Sequence, residues 1–181
     1  KGANLAEMTL LGLPVPPGFT ITTEVCNYTF DNDGAWPAAL DSDIRSGVER
    51  VGGLVGKSFG ETSNPLLFSV RSGAAGSMPG MMDTVLNLGL NDETVVGLAK
   101  LSGNEKFAWD SYRRFLFMFG DVVLGIHSSR FDRARKKKFG ETEVGELDVA
   151  GLKALCDLFK QVIADNVGEF PQDPFDQLKA S

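Results

Sequence analysis

The sequence predicts an α+β fold in which helices outnumber short strands. Three observations carry that prediction. Apolar residues at Leu40, Ile44, Val48, Val51 and Val55 recur at helical spacing. The stretch from Phe107 to Val123 is dense in apolar and aromatic residues and too long for a strand. Two short apolar runs, Pro65-Leu66-Leu67-Phe68-Ser69-Val70 and Thr84-Val85-Leu86-Asn87-Leu88, have the length and composition of strands.

Taken in order, Leu5, Met8 and Leu11 give a first helix over Asn4 to Leu11, stopped by Gly12. Proline and glycine turns follow, and then the alternating Phe19-Thr20-Ile21-Thr22-Thr23 reads as a short strand. Thr23 before Glu24 suggests an N-cap and a helix through Phe30. Asp31 to Pro37 reads as a loop, and the helix carrying Leu40 to Val55 closes near Gly56. The strand that ends at Arg71 comes next, then a loop of small residues and the strand Thr84 to Leu88. Asp92 is the expected cap of a helix running to about Leu101. The aromatic helix follows, then a polar stretch from Ser129 to Lys138, and then a helix from Val149 to Val167. Phe175 to Ser181 reads as a helix cut short.

The chain has 181 residues, 43% hydrophobic and 23% charged, which suits one domain with a substantial core. A formal charge of −6 and a pI near 4.8 argue against a general nucleic-acid binder. No apolar run approaches the roughly 20 residues that span a bilayer, so no membrane partner is expected. Cys26 and Cys156 stand far apart without a CxxC or Cys/His cluster, and they read as reduced, structural thiols.

Chemistry concentrates in Ser69-Val70-Arg71-Ser72-Gly73-Ala74-Ala75-Gly76-Ser77-Met78-Pro79-Gly80-Met81-Met82-Asp83-Thr84. A buried strand delivers Arg71 into a loop whose small residues let backbone N–H groups approach an anion. The guanidinium offers a fork matched to phosphate oxygens. The alternative is a glycine-rich turn whose arginine forms a structural ion pair. Lys1 precedes a glycine and a helix, near the positive end of a helix dipole. Arg113 and Arg114 sit on the aromatic helix, where a charge must reach water or a partner; they read either as ligands or as a snorkelling pair.

Other features carry less. Gly52 to Ser58 imitates a P-loop, but the position five before Gly56 is Val51 and no strand precedes it. Arg133-Ala134-Arg135-Lys136-Lys137-Lys138 reads as a solvated helix face rather than a nucleic-acid patch. His127, the single histidine, has neither metal-ligand companions nor a triad around it.

Arg71-Ser72-Gly73-Ala74 with Ser77-Met78-Pro79-Gly80-Met81-Met82-Asp83-Thr84 resembles the amino-terminal nucleotide-binding domain of the pyruvate phosphate dikinase family. Lys1-Gly2-Ala3-Asn4-Leu5-Ala6-Glu7-Met8 with Gly12-Leu13-Pro14-Val15-Pro16-Pro17-Gly18-Phe19 resembles that family's opening motif, and Phe107-Ala108-Trp109-Asp110-Ser111-Tyr112-Arg113-Arg114-Phe115 fits a third block. The resemblance runs from Lys1 to about Leu178 and is weaker from Phe30 to Leu54 and after Ser128. It implies that residues 1–181 are an incomplete ATP-grasp-type domain, without the swivelling phosphohistidine and pyruvate-binding domains.

The activity implied is interconversion of ATP, phosphate and pyruvate with AMP, pyrophosphate and phosphoenolpyruvate. Arg71 corresponds to the family's arginine on ATP phosphate, and Arg114 to the second arginine of its Tyr-Arg-Arg-Phe motif, at the nucleotide site. Lys1 corresponds to the lysine of Gly-Gly-Lys-Gly, although the two preceding glycines are missing. Gly80 is expected to allow close approach to phosphate and Thr84 to donate its hydroxyl. Met81 and Met82 either cover the purine or pack in the core, and Asp83 either meets a magnesium-bound water or stabilises the loop. Magnesium is expected for the full-length enzyme, on carboxylates outside this chain.

Pyruvate would be met only by the missing domains, and the complete enzyme is expected to be a homo-oligomer in the cytoplasm or an organelle such as a plastid or glycosome. A phosphoenolpyruvate synthase shares the same plan, and a non-catalytic nucleotide-binding module is the alternative outside enzymes. The methionine-rich loop favours the dikinase.

Overall fold

A computed structural model describes residues 2–73 and 83–181, and these form two compact units. Described residues 2–58 and Gly73 belong to the first, and 59–72 with 83–181 to the second. The class is α+β with helices outnumbering short strands, as the sequence predicts.

In the first unit, α1 (Gly2–Leu10) and α2 (Thr23–Asp31) bury no residue. The third helix, α3 (Leu40–Val55), buries Leu40, Ile44, Val48 and Val51 along the expected stripe. Gly56 ends it in the left-handed conformation (φ 67°), its N–H bonded to the carbonyl of Gly52. Residues 52–56 are therefore a helix terminus, which is why the P-loop imitation carries no phosphate cradle. Two local expectations need correction. Residues 19–22 take no strand conformation and Thr23 already lies in α2, so the expected strand at Phe19–Thr23 is absent. Thr22, not Thr23, holds the N-cap position of α2.

In the second unit the run Pro65–Val70 divides. β1 (Ser58–Phe59), which begins on the last residue of the first unit, pairs with β2 (Pro65–Leu66), while β3 (Phe68–Arg71) pairs antiparallel with β4 (Thr84–Leu88). Phe68 faces Leu88, Val70 faces Val85 and Arg71 faces Thr84. Two steps along β3 thus oppose three along β4, which is a bulge. Asn87 absorbs it at φ 61°, a conformation asparagine tolerates. The bulge explains why Val85 and Leu88, three apart rather than two, are both buried.

Behind β4 lie α4 (Thr94–Ser102) and α5 (Glu105–Met118), the latter continuing into a π-helical turn, Phe119–Val123. The expected cap Asp92 is also corrected. Asn91 does the work: its Oδ1 accepts from the N–H groups of Glu93 and Thr94 at 3.0 and 2.7 Å. The polar stretch after Ser128 forms α6 (Ser128–Phe139), with His127 as its N-cap through Nδ1. Helices α7 (Val149–Val167) and α8 (Pro174–Ala180) close the chain. No helix among the described residues is long and apolar enough to cross a membrane.

The core is aromatic. Phe170 stands edge-on to Tyr112, Phe115 and Phe119 at 6.3, 5.8 and 5.4 Å, and Phe131 meets Phe159 at 5.1 Å. Among the polar side chains wholly excluded from solvent is Gln177. Gln177 of α8 accepts from the Gly89 N–H at 3.0 Å and donates to the carbonyls of Leu90 and Pro171, both at 2.9 Å. Gly89 lies at φ 108°, and a Cβ there would meet the Phe59 ring and the Leu66 carbonyl. The turn that ends β4 therefore relies on a side chain 88 residues away.

Gln177→Met keeps the volume but strands one buried donor and two buried acceptors, at a cost on the order of 3 kcal/mol. Calorimetric melting of the second unit's transition should shift down by about 8 °C. A shift under about 2 °C would mean that these bonds contribute only by shape.

Candidate functional site

Arg71 ends β3 with an exposed side chain, and its Nε donates to Ser69 Oγ at 3.2 Å. It forms no ion pair among the described residues. The alternative reading of a structural ion pair thus finds no acid there. Across the ladder stands Thr84, half-buried, so the guanidinium-bearing residue and the hydroxyl share one rung. One step beyond, Ser72 and Asp83 clasp each other. The Ser72 N–H donates to the Asp83 carbonyl at 3.2 Å, and Ser72 Oγ accepts from the Asp83 N–H at 2.9 Å. That pair of hydrogen bonds holds Ser72 and Asp83 side by side. Asp83 serves here through its backbone.

Helix α5 positions the second set of charges. Asn104 caps it, accepting from the Phe107 N–H at 3.0 Å. Its inner face is held by more than packing. Tyr112, fully enclosed, donates its hydroxyl to Asp92 Oδ1 at 3.0 Å, and Lys160 of α7 grips both oxygens of Asp92 at 2.8 and 2.9 Å. Buried Cys156 points its thiol to the Trp109 carbonyl at 3.6 Å. Burial, and then the Asp92 charge, push the Tyr112 hydroxyl well above its ordinary value. Burial likewise pushes the Cys156 thiol up to about 12. For Lys160, burial pulls downward, but hydrogen bonds to Asp92 and Asp157 outweigh it and hold the ammonium above its usual value.

The outer face of α5 lines an open cleft of about 380 Å³ with Lys106, Asp110, Arg113 and Arg114, closed on the far side by Val144, Gly145 and Leu152. Asp110 bridges both arginines. Its Oδ1 takes Arg113 at 2.9 Å (Nε) and 2.8 Å (Nη2), and its Oδ2 takes Arg114 Nε at 2.8 Å. The Arg113 side chain is 16% exposed and that of Arg114 64%. Arg113 is thus largely spent on its neighbour, whereas Arg114 keeps its terminal nitrogens without a protein partner among the described residues.

Of the residues singled out in the sequence, the structure brings Arg71 and Thr84 together. Arg114 lies in a cleft whose lining includes neither. Lys1 and Gly80 lie outside the described residues, as do Met81 and Met82. Sequence reasoning passed over Ser69, Ser72 and Asp110. Only Asp110 left a signal, at i,i+3 and i,i+4 from the arginine pair.

Residues 1–52 match the family model described as the AMP/ATP-binding domain of pyruvate phosphate dikinase. Over nearly its whole length the chain is related to pyruvate, phosphate dikinases. It is 48% identical to that of Giardia intestinalis across 99% of this chain and 21% of the relative. It is 48% identical to that of Rhizobium meliloti (strain 1021) across 98% and 20%. It is 52% identical to the chloroplastic protein of Flaveria trinervia across 99% and 19%. The chain therefore spans about a fifth of the length of the curated relatives it matches.

The fixings of α5 are sensitive to alkali. A group whose folded pKa is raised holds its proton more tightly in the native state, so its contribution is complete below the unfolded pKa and lost above it. Cys156 should begin to lose its share near pH 9 and finish near 12, with a slope of about 1.4 kcal/mol per pH unit. Tyr112 and Lys160 join above about pH 10. Urea unfolding should therefore give a plateau from pH 7 to about 8.5 and a decline above it. In Cys156→Ala the stability should stay level to about pH 10; an unchanged profile would remove Cys156 from the explanation.

Proposed function

We propose, for a chain related along its length to pyruvate phosphate dikinases, that it supplies the phosphate-gripping part of a nucleotide site in such an enzyme. In this reading the complete polypeptide interconverts ATP, phosphate and pyruvate with AMP, pyrophosphate and phosphoenolpyruvate through a phosphohistidine. Residues 1–181 form part of its amino-terminal ATP-grasp-type domain. The observation that carries the reading is Arg71: exposed at the end of a paired strand, oriented by Ser69, without an acid partner among the described residues, on the rung of Thr84 and beside the clasped base of a small-residue loop.

The chemistry follows from placement. Phosphoryl transfer asks the protein for position and for positive charge where charge develops. Ser69 occupies Arg71 Nε, leaving the two terminal nitrogens to meet two phosphate oxygens as a fork. Thr84 adds a hydroxyl donor on the same rung. Arg114 adds a second cation from α5, and Lys1 and Gly80 complete the proposed contacts. Magnesium, when bound, neutralises phosphate charge. Among the described residues no three carboxylate, histidine or cysteine groups converge. The proposal assigns the metal's carboxylates to the rest of the enzyme and the cationic share to this chain. Pyruvate likewise falls to the other domains of a homo-oligomer in the cytoplasm or a plastid-like organelle.

The test belongs in the complete polypeptide that carries this chain. Arg71→Ala should slow phosphorylation of the histidine by ATP about a hundredfold, equivalent to about 3 kcal/mol, while phosphoryl exchange between phosphohistidine and pyruvate stays within about threefold. Arg71→Lys should recover part of the loss, since an ammonium lacks the fork. Equal damage to both half-reactions, with a lower melting temperature, would assign Arg71 to structure.

A further inference from the structure

We propose that Asp110 is a positioning residue for the nucleotide phosphates, acting through Arg114; this rests on the reading of Arg114 as a phosphate ligand. The three charges on the outer face of α5 are not equivalent. Asp110 gives one oxygen to Arg113, which answers with Nε and Nη2, the edge an arginine would use on a phosphate. At 16% exposure Arg113 is a counter-ion, not a ligand. The other oxygen receives only Nε of Arg114. The outer pair of Arg114 nitrogens stays uncommitted among the described residues, on a side chain 64% exposed.

An arginine with that exposure samples many rotamers, and fixing it on a ligand costs side-chain conformational entropy. Held at Nε by a carboxylate one helical turn away, it has already lost much of that freedom before a phosphate arrives. The carboxylate also separates two adjacent guanidinium groups that would otherwise repel.

Charge and position make opposite forecasts for the same substitution, which gives the proposal its test. Asp110→Asn removes a negative charge beside an anion site; on charge alone ATP should bind more tightly. If Asp110 acts by holding Arg114, ATP should bind more weakly, because an amide offers one acceptor where two are needed. In the complete polypeptide, calorimetric Kd for ATP and the ATP KM of histidine phosphorylation should both rise about tenfold in Asp110→Asn. Asp110→Glu, which keeps both acceptors within reach, should return to within about threefold of wild type. In an Arg114→Ala background, Asp110→Asn should change neither quantity.

Loss of the Arg113 counter-ion is the route by which Asp110→Asn would fail to fold. Asp110→Asn combined with Arg113→Gln removes that stranded cation and should keep the tenfold loss. Unchanged or tighter ATP binding in both Asp110→Asn and this double variant would overturn the proposal. So would an equal loss in the Arg114→Ala background. If Arg114→Ala costs affinity and Asp110→Asn does not, only the positioning role falls. If Arg114→Ala itself leaves ATP binding and histidine phosphorylation intact, the reading of Arg114 as a ligand falls first.

Discussion

Helix α5 has two faces with incompatible demands, and the second unit is arranged around meeting both. Ala108, Tyr112, Phe115 and Leu116 are wholly excluded from solvent, with Phe119 extending the face into the π-helical turn. A helix whose inner side is that apolar has no freedom to rotate, since turning it would bring Arg113 or Asp110 into the core at a cost of several kcal/mol. The charged outer face is therefore fixed by packing on the inner one. Phe170 closes the aromatic side, and the Tyr112–Asp92–Lys160 chain adds a polar tether between α5, the start of α4 and α7. Any ligand-binding role of Arg114 inherits its precision from that core.

The β3–β4 ladder solves the same problem differently. Its bulge lets Val85 and Leu88 both face inward, against α5 and its neighbours. Regular alternation would send one of the two to solvent. The bulge sits between the Phe68–Leu88 and Val70–Val85 pairs, so the rung of Arg71 and Thr84 lies beyond it, in regular register. Gln177 holds the opposite end of β4 through Gly89 and Leu90. One end of β4 is anchored to α8, and the other carries Thr84 on the rung it shares with Arg71 of β3.

What the sequence made legible follows from the range of the interactions concerned. The stripe of α3, the span of α7 and the limits of β4 follow from periodicity and residue type within a few residues, and the structure reproduces them save for Val55, which ends the α3 stripe exposed. The split of Pro65–Val70 into two strands depends on which partners lie on either side of Leu67, which local pattern does not carry. Asp92 and Asn91 are both good caps in isolation. Asp92 is drawn away by Lys160, 68 residues later, and Asn91, whose amide also donates to the Gln172 carbonyl, takes the role. Gln177 was invisible for the same reason: a glutamine in a short terminal helix reads as solvated until its partners near Leu90 are known. At the candidate site, motif resemblance marked Arg71, Thr84 and Arg114, but not the side chains that orient them. Ser69, Ser72 and Asp110 are ordinary residues whose importance arises only from where their neighbours stand.

Those orienting residues show why the two arginines are not interchangeable. Arg71 stands on a strand paired at its own rung, with its Nε resting on a neutral hydroxyl at 3.2 Å. Its backbone is firmly placed and its full charge is available to an incoming anion. Arg114 stands on a helix face and meets a carboxylate at 2.8 Å, which orders the side chain but offsets its charge locally. The first arrangement favours strength of attraction, the second favours geometry. A polyphosphate whose charge shifts from one group to the next during transfer gains from both: an uncompensated cation where negative charge accumulates, and a pre-aligned but partly neutralised one where binding must not become too tight to release product. On this reasoning Arg71 is the better candidate for the transferring end of the phosphate chain and Arg114 for a position that mainly holds it.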